Sequence, residues 1–94
     1  MYLTNAQFDI LWSWAQQTPR VQEAYLYGSY AKGMADSGSD VDVAIKANAG
    51  NWTALAAKWE QHLTQQLGVT VNIRTLANPT VREYCDTFNV PLKR

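Results

Sequence analysis

Ninety-four residues with eight basic and eight acidic side chains give a formal net charge of zero. A chain of this length holds one modest core, read as a single domain over 1–94, and excludes a separate substrate domain. The charge balance argues against broad capture of nucleic acid, which needs clustered Lys and Arg. The lone Cys85 allows no internal disulfide and fits a reducing cytoplasm. No basic-then-apolar leader and no apolar run of spanning length is present, so no membrane is expected.

Thr4 and Gln7 form a capping-box pattern, with Leu3 and Phe8 placed as a hydrophobic staple. Phe8, Leu11, Trp12 and Ala15 recur at helical spacing and predict a buried stripe, which Ile10 and Trp14 widen. Thr18-Pro19 stops that helix, because a residue before proline is pushed out of helical geometry. Val21 to Tyr27 reads as a strand, with Tyr25 and Tyr27 on one face and Ala24 and Leu26 on the other. Ser29 to Lys32 reads as one helical turn. Asp40 to Ile45 reads as a second strand, followed by a loop over Lys46 to Gly50. Asn51 fits an N-cap, and Trp52, Leu55, Ala56, Trp59, Leu63 and Leu67 follow one helical stripe that Gly68 terminates. His62 lies off that stripe and reads as a surface residue. Val69 to Leu76 is the third strand, with Thr70, Asn72 and Arg74 opposite its apolar face. Asn78-Pro79 opens a last short helix, and Pro91 with Lys93-Arg94 reads as a loose tail. The elements make an α/β fold: a small mixed sheet of three to four strands, helices on one face, and an open face bearing the Asp residues.

Chemistry concentrates between Gly28 and Asp42, reading GSYAKGMADSGSDVD. On a strand, Asp40 and Asp42 point to one face and Val41 and Val43 to the other. Two carboxylates side by side repel and raise each other's pKa. A hard divalent cation relieves such a pair, and Mg2+ is commonly held by one or two carboxylates plus substrate phosphates. Gly28 lets the chain turn sharply and lets a ligand come close. Ser29 offers a hydroxyl and an N–H at the start of a helical turn, where anions are favoured. Lys32 reads as solvated or as a triphosphate contact. Asp36 reads as turn chemistry.

Gly28-Ser29, ten residues, then Asp40-Val41-Asp42 resembles the signature of the DNA polymerase beta-like nucleotidyltransferase superfamily. The text from Ala24 to Ile45, AYLYGSYAKGMADSGSDVDVAI, is especially similar to its minimal nucleotidyltransferase (MNT) group. That resemblance implies the minimal nucleotidyltransferase fold and transfer of AMP, or another NMP, from an NTP to a hydroxyl. It implies Mg2+ or Mn2+ held by Asp40 and Asp42, with ATP or another NTP held at Gly28, Ser29 and Lys32. It also implies a HEPN-type toxin as partner, whose tyrosine is the acceptor and for which the MNT protein is the antitoxin. Self-association is the other use foreseen for the high aromatic count.

One position departs from the pattern. Family enzymes place a third carboxylate on a later strand, and Asn72 stands where it would fall. Asn keeps the shape and one carbonyl oxygen but loses the charge that helps bind metal and activate the attacking hydroxyl. Glu83 and Asp86 lie too far along to replace it. Three readings follow: an active antitoxin enzyme, a catalytically impaired antitoxin that acts by contact, and a plain adaptor in which the Asp pair is a relic.

Overall fold

The computed structural model describes residues 1–48 and 52–94. The elements run α1 (Asn5–Gln17), β1 (Val21–Tyr27), α2 (Ser29–Lys32), β2 (Val41–Ala47), α3 (Trp52–Leu67), β3 (Val71–Thr75), α4 (Pro79–Thr87) and β4 (Asn89–Lys93). The strands form one sheet in the order β3-β2-β1-β4. β1 pairs antiparallel with both β2 and β4, while β2 and β3 run parallel, joined through α3. This is the mixed α/β sheet that the pattern of elements predicts.

Local signals place the helix ends. The Thr4 N–H donates to Gln7 Oε1 at 2.9 Å, and the Gln7 N–H donates to Thr4 Oγ1 at 3.1 Å. Gln7 then reaches out of the box and donates to the Leu67 carbonyl at 3.0 Å, tying the start of α1 to the end of α3. Asn78 Oδ1 accepts from the Thr80 and Val81 N–H groups, with Pro79 at the first helical position. The Asn51 cap lies outside the described residues.

One face of the sheet is closed by α1 and α3. Leu11, Leu63, Val41, Val43, Ile45, Val71, Ile73 and Leu92 interlock there, each nearly or fully buried. Each large side chain contributes about 1.5–3 kcal/mol relative to exposure. Trp14 and Trp59 meet edge to face at a centroid distance of 5.8 Å. This corrects the α1 stripe: Trp14 is buried and Trp12 is 48% exposed. The two lie about 200° apart around a helix, and α3 packs on the Trp14 side.

Three other boundaries shift. β2 runs on to Ala47, because Lys46 and Ala47 pair with Glu23 and Val21, and Lys46 Nζ sits 3.8 Å from Glu23. β3 is shorter than the apolar run around it and starts at Val71. The predicted tail is instead an edge strand, β4, with Val90 and Leu92 on the closed face. Proline removes a ladder donor and is tolerated at a sheet edge, so Pro91 does not prevent pairing. Gln16 Nε2 donates to the Leu92 carbonyl at 2.6 Å, fastening β4 to α1. At the opposite edge the Val71 and Ile73 N–H groups donate to Thr64 Oγ1 and Glu60 Oε2. That edge therefore offers no row of free donors to another chain.

The other face is only partly covered. α4 lies on it, where Cys85 and Val81 pack against Tyr25, Tyr27, Ala44 and Leu76. The face stays open beyond α4, at the end where β1 leaves and β2 begins.

Candidate functional site

Three neighbouring strands meet at that open end. Tyr27 on β1 pairs with Asp42 on β2, and Asp42 pairs with Asn72 on β3. Alternation on β2 sends Val41 and Val43 into the closed core and leaves Asp42 on the open face. Asp40 sits immediately before β2 rather than on it and is exposed, while Asp42 is half-buried.

The turn after β1 is built around the Asp42 carboxylate. Gly28 has φ +77, a conformation other residues rarely adopt. A Cβ there would stand 2.8 Å from Asp42 Oδ2. Both backbone angle and space thus exclude a side chain. The chain then enters α2, where the Ala31 and Lys32 N–H groups donate to the Gly28 carbonyl and Tyr30 and Ala31 are buried. The N–H groups of Ser29 and Tyr30, at the first turn, have no partner within so short a helix. Between α2 and β2, Asp36 Oδ1 accepts from the Gly38 N–H at 2.9 Å and the Ser39 hydroxyl at 3.2 Å. Asp36 therefore does turn work, as its place in the loop predicts.

Asn72 bridges the pair. Its amide donates to Asp40 Oδ2 at 3.1 Å. Burial pushes the Asp42 carboxyl above its ordinary value; the Asn72 amide draws it down, Asp40 pushes it up again, and Arg74 lowers it. Two anions thus share a partly desolvated corner with one neutral amide between them. Arg74 is committed elsewhere, donating to Glu60 at 3.2 Å around the sheet edge.

The carboxylates open onto two hollows. Asp42 lies in a cleft of about 320 Å3 lined by Tyr27, Gly28, Lys32 and Tyr84. Asp40 lies in a second hollow of about 560 Å3 with Tyr30, Ser39 and Thr70. Lys32 has no ion-pair partner among the described residues, so its charge is available to the first cleft. Tyr27 is 8% exposed and both packs under the turn and lines the cleft. Burial and the Asp42 charge push its phenol up to about 12. Tyr84, on α4, is the residue that sequence reasoning missed: nothing in its helical context marks it, and only the placement of α4 brings it to this cleft. Glu83 and Asp86, on α4, are exposed and do not line this cleft. A third hollow of about 430 Å3, between α1 and α3, holds His62 and Asp9 on the opposite side of the sheet.

The donor set fits a divalent cation that arrives with a polyphosphate. Among the described residues no cluster of three or more His, Cys, Asp and Glu exists. Two carboxylates and one amide oxygen are too few for a cage made by protein alone, but Mg2+ often keeps waters and substrate phosphates as its remaining ligands.

No curated protein matches the chain. Among solved structures, a protein described as a minimal nucleotidyltransferase superposes with TM-score 0.74 at 27% identity, over 97% of this chain and 96% of its own. A toxin–antitoxin structure with AMP-PNP gives TM-score 0.76 at 24% identity, covering 95% of this chain and 73% of that one. A complex of tri-AMPylated Shewanella oneidensis HEPN toxin with MNT antitoxin gives TM-score 0.66 at 20% identity, covering 90% and 71%. The last two likenesses speak to fold. Residues 10–89 match the family described as "Nucleotidyltransferase domain", and this chain belongs to that family.

Proposed function

We propose that this chain is a Mg2+-dependent minimal nucleotidyltransferase that transfers AMP, or another NMP, to a hydroxyl on a protein partner, a HEPN-type toxin, and so acts as its antitoxin. The observation that carries this reading is the Gly28 turn closed over the Asp42 carboxylate, with Asp40 beside it and bonded to the Asn72 amide. The family match supports the reaction class, and the fold shared with MNT antitoxins supports the partner class.

In this reading Asp40 and Asp42 hold Mg2+, which when bound neutralises charge on the triphosphate. The backbone at Gly28 and the Ser29 hydroxyl orient the outer phosphates, and Lys32 reaches them from the cleft wall. The partner's hydroxyl oxygen bonds to the α-phosphorus, its proton passes to water, and the bond from that phosphorus to pyrophosphate breaks. Positioning supplies most of the acceleration, as in phosphoryl transfer generally. The cytoplasm, where ATP and Mg2+ are at hand, is the expected setting.

Asn72 favours a second reading, in which the chain holds the nucleotide and restrains its partner by contact. The amide already satisfies Asp40, and no described carboxylate replaces it. Labelled ATP, Mg2+ and a HEPN-type partner separate the two. The expected outcome is label on the partner, lost in Asp42→Asn and raised roughly a hundredfold or more in Asn72→Asp. Label appearing only with Asn72→Asp would establish the contact reading for the natural chain. Absence of label together with Mg2+-independent ATP binding would remove the metal site.

A further inference from the structure

We propose that Tyr84 is the platform on which the base of the nucleotide stacks; the inference rests on the nucleotide site proposed above. Tyr84 is 65% exposed, yet it lines the cleft that contains Asp42, Gly28 and Lys32. Its backbone is not free to wander. The next residue, Cys85, is buried against the sheet, and the Asn89 side chain donates to the Cys85 carbonyl at 2.9 Å. A fixed helix therefore holds an aromatic ring at the lip of the cleft. Among the described residues no other ring stacks on it.

The cleft has two chemically different walls. Gly28, Lys32 and Asp42 make the charged wall that suits phosphate and its cation. Tyr84 makes an apolar wall, and aromatic rings take bases of any kind because every base has a π-face. A cleft of about 320 Å3 is at the low end for small-molecule sites. It accommodates part of an NTP, so the phosphates and the base divide between its two walls. Exposure of a large aromatic here is then functional, since burying that ring is left to the ligand.

The test compares two probes by calorimetry in the presence of Mg2+: ATP and inorganic tripolyphosphate, which has no base. The expected result is that Tyr84→Ala weakens ATP about tenfold or more and leaves tripolyphosphate unchanged, in the range of a single base–aromatic stack. Tyr84→Phe should bind both as the natural chain does, since the ring and not the hydroxyl is used. Equal loss for both probes, or no loss for either, would overturn the inference. Equal affinity of the natural chain for the two probes would overturn it as well. Asp42→Asn reports separately on the underlying site: it should lose both probes, and if it keeps both, the site reading fails while a base platform at Tyr84 would still show as a difference between probes.

Discussion

The two faces of the sheet are built from the same strands under opposite rules. On the face covered by α1 and α3, Leu11, Val43, Ile45, Leu63 and Ile73 are packed in a cluster with no charged side chain, whose buried residues bear as polar groups the Trp14 indole N–H and the Tyr30 hydroxyl. On the other face, α4 covers Tyr25, Tyr27, Ala44 and Leu76, and the adjoining positions are Asp42 and Asn72. The first face supplies stability. The second gives some of it up: a half-buried carboxylate stands next to a second anion, held by an amide and by a turn that no residue but glycine can make. Strain and like charge gathered at one place are characteristic of functional sites.

Breaking the closed face should have the largest effect on folding. Leu63→Ala is expected to cost about 3–4 kcal/mol, read from urea unfolding, while any protein that remains folded keeps its nucleotide affinity. Gly28→Ala tests the open face. It should destabilise by about 1–3 kcal/mol through the positive φ and, by pushing on Asp42, lower Mg–ATP affinity about a hundredfold. Similar losses from Ala at Gly28 and at the more distant Gly68, also at positive φ but with free space around it, would show that backbone strain alone is at work.

Asp42→Asn should separate the two faces most sharply, because function and stability move in opposite directions. The Asp42 carboxyl is raised in the folded state, so folding takes up a proton there and stability falls as pH rises from the ordinary value of 3.8. At neutral pH without nucleotide, the Asn variant should therefore melt higher than the natural chain. The gap should close as the pH drops below 3.8. A lower melting temperature at neutral pH would show that the carboxylate is structural.

The smallest expected effect is at Tyr27. Its phenol, raised to about 12, favours the protonated form in the folded protein. Stability it supports is complete below pH 10.0 and is lost as the pH climbs toward that raised value. Ultraviolet titration should show a late-ionising phenol that disappears in Tyr27→Phe.

Much of the closed face was legible as pattern. The spacing of Ala56, Trp59, Leu63 and Leu67, and the alternation of Val41, Val43 and Ile45, are local properties of helix and strand. So were the capping box at Thr4 and the cap at Asn78, which need only four consecutive residues. The candidate site was legible in part because Gly28-Ser29 and Asp40-Val41-Asp42 are a compact, ordered signal. Trp12 was misassigned because helical spacing defines a stripe but not which neighbour packs on its margin. β4 was missed because Val90 and Leu92 are a short alternation around a proline, and its pairing partner lies far back in the chain.

Neighbours along the chain were enough for α1 to α4, for β1 to β3, for the Gly-Ser turn and for the absence of an acid at Asn72, because each depends on residues within a turn or a strand. Packing between distant segments settled that Asn72 bonds Asp40, that Gly28 leaves no room for a Cβ beside Asp42, that the tail becomes β4 and that Tyr84 borders the cleft. Those contacts join residues 14 to 69 positions apart, and their geometry is set by strand order and by which face each helix covers.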